Sequence, residues 1–206
     1  MTSDEAKLEI LNRALMEVGS PIVESLDDDG TSFQSALSAW GMSLRSLLRK
    51  HEWNFSMKRL EISADATPPS FEFGSRFQLP EDFVRLSDIY RFIDFPYRIE
   101  DGYILTESSG NLPLVYVYNN QDASSFDDLF RETLAIGIAR NISYQVVQSR
   151  ALREELTGTY ERALARAKFV DSSERSMRRI EASEWVLARL GRAHPNRFDN
   201  IVPPTP

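Results

Sequence analysis

The sequence contains no cysteine, which excludes disulfide bonds, thiol catalysis and zinc sites built on thiolates. Histidine is almost as scarce, because only His51 and His194 are present. One lies at a predicted helix end and the other near the C-terminus, so we do not expect them to share a metal. No apolar run reaches the roughly 18 residues that a membrane-spanning helix needs. We therefore expect neither a metal centre nor a membrane span.

Sequence motifs of catalysis are also missing. The nine glycines are scattered as turn residues and form neither a phosphate-binding loop nor a Gly-x-Ser-x-Gly elbow. The acidic run from Asp27 to Asp29 lacks the alternating ligands and distal glutamate of a calcium loop, so we interpret it as a solvated loop. The 31 acidic residues offer many carboxylate pairs, but sequence alone places no pair across a sugar cleft. We predict a protein that is not an enzyme and has no cofactor.

The net charge of −7 is distributed unevenly along the chain. Residues 1–30 contain eight acids and two bases, whereas residues 171–206 contain five acids and six bases. Tight, charge-driven DNA binding needs clustered lysine and arginine, so this acidic chain is a poor candidate for it. The same charge is compatible with a surface along which DNA slides without being held.

Hydrophobic periodicity predicts helices at both ends of a β-rich segment. The first helix runs from Asp4 to Val18, and the second begins at Thr31 and carries a wide apolar stripe. Between residues 53 and 119, eight prolines and glycines separate short β-branched and aromatic runs, as is typical of antiparallel strands. Helical periodicity returns near Ser125 and continues beyond residue 150, as two helices or as one bent helix.

This order predicts a mainly α (α+β) fold, in which an antiparallel helical bundle carries an inserted small antiparallel β region and an extended C-terminal arm. The predicted bundle comprises residues 1–52 and 120–170, and the β-rich insertion comprises residues 53–119. Residues 171–206 form the arm, because their sequence is first almost entirely polar and then rich in proline.

The three tryptophans receive different interpretations. Trp40 lies on an apolar helix stripe and Trp53 begins the β region, so we expect both in the core and not as stacking platforms for nucleic acid. Trp185 lies in the arm among arginines, a composition typical of interface anchors. The alternative is a short helix that folds back onto its own bundle. The candidate interface residues are Arg175, Arg178, Arg179, Trp185 and Arg189.

Three short motifs occur in a distinctive order. A helix ends at Val18-Gly19-Ser20-Pro21, a long second helix leads into Trp53-Asn54-Phe55, and Leu79-Pro80-Glu81-Asp82 follows after a linker. Together they resemble the tail tubular protein A family, the adaptor proteins of short-tailed phages, over roughly residues 5–170. Val18-Gly19 departs from the usual Leu-Gly pair, and the chain after residue 170 is not matched to the family residue by residue.

The resemblance implies a structural virion protein that forms a head-to-tail adaptor ring of about twelve subunits. Such a ring connects the portal protein to the tail nozzle protein and forms part of the DNA ejection channel. Double-stranded DNA would pass through it without sequence-specific binding. The protein would be made in the host cytoplasm and would reside in the tail, at the head-tail junction of the virion. We assign the arm candidates to portal contact.

Two other classes of function stay open at this point. One is a tail-associated hydrolase acting on peptidoglycan or capsular polysaccharide, which turnover of purified substrate would reveal. The other is a helical interaction domain unrelated to phage, which has no reason to form a ring. Self-association therefore separates that class from the adaptor.

Overall fold

The structure is a computed structural model, and it describes residues 1–90, 96–108 and 110–174. In these ranges, four α-helices, α1 to α4, span Ser3–Glu17, Thr31–Arg49, Asp128–Val147 and Arg150–Ser173. Six strands, β1 to β6, span Met57–Ile62, Ser75–Gln78, Phe83–Ile89, Tyr97–Glu100, Tyr103–Thr106 and Leu112–Tyr118. Single 3₁₀ turns, Asn54–Ser56 and Ala123–Ser125, precede β1 and α3. No helix in the described ranges is long and apolar enough to cross a membrane.

Local signals in the sequence account for the limits of α1. The Thr2 side chain accepts a hydrogen bond from the Glu5 N–H while the Glu5 carboxylate accepts one from the Thr2 N–H, a reciprocal capping box. Gly19 follows the helix with a positive φ of 70°, which suits a residue without a Cβ. Asn12 then holds the next loop, donating to the Val23 carbonyl at 2.8 Å and accepting from its N–H at 2.9 Å.

Helix α3 is the centre of the helical layer. Its middle turns are buried on all sides, because α1, α2 and α4 pack around it. Gly137 permits the closest approach of α4, since a Cβ at that position would lie 3.1 Å from Cε2 of Tyr160. Gln148, in the left-handed conformation, separates α3 from α4. The two C-terminal helices are therefore distinct helices and not one bent helix.

The strands form two antiparallel sheets. Sheet A has the order β1-β6-β3, and sheet B has the order β2-β5-β4. Phe77 and Ile104 of sheet B pack against Leu114 of sheet A in a core of their own. Val84 and Val117 of sheet A belong instead to the helical core. The central strand β6 of sheet A therefore has buried side chains on both of its faces, between the helices and sheet B.

The predicted helical bundle with a small β insertion is wrong. The chain folds as an α+β protein with two three-stranded sheets, and the β region has a hydrophobic core separate from that of the helices. The error has a physical reason. Strand Met57–Ile62 is largely exposed and strand Ser75–Gln78 has only four residues, so neither shows the apolar alternation that marks a strand in sequence. Pairing with β6 and β5 determines their conformation.

Candidate interaction surfaces

The Trp-Asn-Phe motif joins the helices to sheet A. Trp53 is fully buried, its Nε1 donates to the Leu47 carbonyl at 3.0 Å, and its ring meets Phe130 edge-on with centroids 4.9 Å apart. Trp40 is 5% exposed and belongs to the same core. Both tryptophans are core residues, which confirms their prediction. Neither ring is free to stack on nucleic acid.

The last turn of α4 is hydrogen-bonded to this junction between the helices and sheet A. Asp171 is buried and accepts hydrogen bonds from the Asn54 N–H at 2.9 Å and from His51 Nε2 at 3.0 Å. The Asn54 side-chain amide donates in turn to the Asp171 carbonyl at 2.9 Å. These contacts fix the end of α4 to the chain segment between α2 and β1. Residue 171, where the arm was predicted to begin, thus lies within a packed helix.

The Leu-Pro-Glu-Asp motif anchors the start of β3. The Asp82 carboxylate accepts from Tyr116 Oη at 3.1 Å and from Lys58 Nζ at 2.6 Å, and the Asp82 carbonyl accepts from the Asn119 N–H at 2.7 Å. Burial and the hydrogen bond to Asp82 raise the pKa of Tyr116 to about 12. Asp82 therefore ties β3 to β6 and β1. Like Trp53, this motif residue holds structural elements together.

An open groove of about 880 Å³ runs between α1 and the first turn of α3. Two of its apolar residues are conspicuously exposed, Met16 at 54% and Ile22 at 62%. The groove is lined by four acids and two arginines among other residues, namely Glu5, Glu9, Asp128, Glu132, Arg13 and Arg131. We refer to this surface as the acidic groove.

The four acids of the groove outnumber its two arginines, which leaves a net negative charge. Arg13 is paired with Glu17 at 3.2 Å, and Arg131 donates to the Ser124 carbonyl at 2.9 Å. Within the described ranges, no ion pair involves Glu9 or Glu132. Both carboxylates are solvent-exposed. The groove thus combines apolar contact area with a negative rim.

Helix α4 carries a surface of the opposite charge. Arg162, Ala165, Arg166 and Phe169 follow one another at intervals of three, one and three residues, so they share one helix face, and all four are exposed. The Phe169 side chain is 75% exposed. The buried residues of α4 occupy the opposite face: Leu156, Tyr160, Leu164, Ala167 and Asp171. We refer to the exposed face as the basic stripe.

A third surface is the free edge of sheet B. Strand β4 is an edge strand whose four residues are all exposed. Tyr97 and Ile99 are 48% and 43% exposed, although their partners Thr106 and Ile104 in β5 are buried. No strand in the described part of the chain pairs with the outer edge of β4. Among the described residues this edge is unpaired, and an unpaired strand edge can pair with the backbone of another chain.

The five predicted portal contacts, Arg175, Arg178, Arg179, Trp185 and Arg189, lie outside the described residues. Sequence reasoning missed the acidic groove and the basic stripe. Phe169 provides the signal that was overlooked, because it is out of phase with the apolar face of its own helix. The acidic surplus of residues 1–30 provides another, since two of its acids line the groove.

Within the described ranges, no cluster of three or more histidine, aspartate or glutamate side chains is arranged to hold a metal ion. A scan against protein-family models finds no match to the chain, and a search of curated proteins finds no similar sequence.

Proposed function

We propose that this protein is a structural adaptor of a phage head-tail junction, forming a ring between the portal and the tail nozzle. The observation that carries the proposal is the position of the motifs on which the family resemblance rests. Trp53 and Asn54 bind the helices to each other and to the β region, and Asp82 binds β3 to its neighbours. Residues that hold structural elements together in this way depend on the architecture of the fold. The occurrence of these motifs in one chain therefore favours a fold shared with the tail tubular protein A family.

The exposed surfaces support an assembly function. A ring subunit needs two different lateral surfaces and at least one axial surface. The acidic groove and the basic stripe are two separate surfaces on the helical layer, and the edge of sheet B is a third surface on the other side of sheet A. We assign the sheet B edge to the nozzle protein, because an unpaired strand edge can accept an extended segment of a partner.

The portal contact is assigned to the arm on its composition. Arg175, Arg178, Arg179 and Arg189 surround Trp185 in sequence, and arginine with tryptophan is enriched among residues that dominate binding energy. The acidic balance of the whole chain supports a channel that does not retain DNA.

Native mass spectrometry of the chain mixed with the portal ring of its phage tests the proposal. About twelve added copies per portal ring are expected, whereas the chain alone should not reproduce that mass. Absence of association between the two folded proteins would overturn the adaptor function. The same preparation should show no turnover of peptidoglycan or capsular polysaccharide, and turnover would instead support the hydrolase.

The arm is tested with substitutions that leave α4 intact. Asp171 is part of the helix–strand joint, so a truncation should remove residues 175–206 and not residues 171–206. Trp185→Ala and the pair Arg178→Glu with Arg179→Glu should each reduce portal binding roughly tenfold or more. Arg150→Glu, an exposed substitution at the start of α4, is the matched control and should bind normally. Equal binding by all variants would contradict the arm's role.

A further inference from the structure

We propose that the acidic groove is the docking site for the basic stripe of a second copy of this chain. The contact would place Phe169 of one copy against Met16 and Ile22 of the next. It would also place Arg162 and Arg166 against the carboxylates at the groove's rim. The inference rests on the proposed function, because repeated contacts of this kind would form the ring of the adaptor.

Charge complementarity is the first argument. The groove exposes Glu9 on α1 and Glu132 on α3 with no ion pair in the described ranges, and the stripe exposes Arg162 and Arg166 one helical turn apart. Opposite charges brought together in an interface accelerate encounter, and like charges brought together oppose it. A groove with this rim therefore selects a basic helix over an acidic one.

Apolar matching is the second argument. Phe169 is 75% exposed, the same stripe holds Ala165 as a small neighbour, and the groove presents Met16 and Ile22 with more than half of their surface exposed. Burying a phenylalanine side chain against such residues removes apolar surface from water and therefore stabilises association. Because methionine has an unbranched, flexible side chain, Met16 suits adjustment around an incoming ring.

The two surfaces cannot satisfy each other within one chain. The stripe lies on the face of α4 opposite Leu156, Tyr160 and Leu164, so it is directed away from the helical core. The groove lies between α1 and the first turn of α3, and no residue of α4 lines it. A basic stripe that fills the groove therefore belongs to another copy of the chain. Because groove and stripe are different surfaces, the contact is head-to-tail and not two-fold symmetric, and repeated contacts form a ring or an open chain.

Cysteine cross-linking tests the contact directly, because the wild-type chain has no cysteine to interfere. Full-length Met16→Cys and Phe169→Cys chains are mixed and oxidised, with and without the portal ring. Met42→Cys mixed with Phe169→Cys is the matched control, since Met42 is 75% exposed on α2, outside the groove. A covalent mixed dimer formed at least several-fold faster than in the control is expected. Equal rates for the two pairs would overturn the proposal.

A charge exchange provides a second measurement that does not depend on cysteine chemistry. One variant carries Glu9→Arg and Glu132→Arg, and the other carries Arg162→Glu and Arg166→Glu. Each alone should self-associate roughly tenfold more weakly than wild type in sedimentation velocity, because groove and stripe then repel. An equimolar mixture should regain association, since each basic surface meets an acidic one. A mixture as weak as either variant would contradict the proposed contact.

These outcomes separate the interface from the adaptor function. Specific cross-linking without portal binding would retain the interface and remove the adaptor. Portal binding in the expected number of copies, with no specific cross-link on the portal ring, would retain the adaptor and remove this interface.

Discussion

Trp53 allows the joint between the helices and sheet A to be tested quantitatively. Trp53→Phe removes the Nε1–H donor to the Leu47 carbonyl and part of a fully buried ring. The Leu47 carbonyl keeps a second donor, the Lys50 N–H at 3.1 Å, so the loss is that of one net hydrogen bond and not of a stranded acceptor. That bond contributes about 1 kcal/mol. The smaller ring leaves a void that costs roughly another 1 kcal/mol.

The expected decrease in the free energy of unfolding for Trp53→Phe is therefore about 2 kcal/mol. Trp53→Ala also removes the edge-on contact with Phe130, and its cost should be about 4 kcal/mol. Both values are measured by urea titration followed by far-ultraviolet circular dichroism, with the change read from the midpoint at constant slope. A loss of 2 kcal/mol lowers the thermal midpoint by about 4–8 °C in a domain of this size.

Trp40→Phe is the matched control, because Trp40 lies in the same core with 5% exposure. Its described partners are the apolar core and the Lys7 ammonium, 5.4 Å from the ring centroid. This substitution should therefore cost only the packing contribution, about 1 kcal/mol. If Trp40→Phe destabilised the fold as much as Trp53→Phe, the hydrogen bond to Leu47 would not be the feature that distinguishes Trp53.

Substitutions at three further positions test other parts of the structure. The folded pKa of Tyr116, about 12, exceeds its ordinary 10.0, so its stabilising contribution is complete below pH 10 and is lost as the pH rises towards 12. Tyr116→Phe, which also removes one hydrogen-bond donor to Asp82, should abolish the fall in the urea-derived free energy of unfolding between pH 10 and 12. A fall of the same size in the variant would refute the assignment to Tyr116. Gly137→Val should lower the free energy of unfolding by about 2 kcal/mol or more, because its side chain clashes with Tyr160. Gly137→Ala should be nearly neutral in thermal melts, because the higher helix propensity of alanine offsets the close contact. Asn12→Ala should cost about 2 kcal/mol and speed amide exchange in the loop after α1, whereas unchanged exchange would show that the loop is held by other contacts.

The helices of this protein were predictable because their signals are local. The predicted start at Asp4 and end at Val18 each lie within one residue of the observed limits of α1, since the N-terminal cap, the periodic leucines and Gly19 each act on residues close to them in sequence. Trp40 and Trp53 could likewise be assigned to the core, because burial of large aromatic side chains follows from their position in an apolar pattern.

The fold class required information that is not local. Val117 packs towards the helices while the neighbouring Tyr116 packs towards sheet B, and only a strand with cores on both faces buries two successive side chains. That arrangement depends on where sheet B folds back, and the four-residue strand Ser75–Gln78 is too short to indicate this in its sequence. The predicted small β insertion was wrong for this reason.

Some features of the candidate surfaces likewise follow from the sequence, whereas others depend on the tertiary structure. Three features are properties of the sequence alone: the absence of cysteine, the acidic surplus of residues 1–30 and the arginine-rich arm. They excluded thiol chemistry and argued against tight DNA binding. Tertiary structure alone brought Glu9 of α1 beside Glu132 of α3, residues 123 positions apart, and turned Phe169 away from the core. Charge and hydropathy are carried by each residue, but a docking surface exists only where packing brings distant residues to the same side of the molecule.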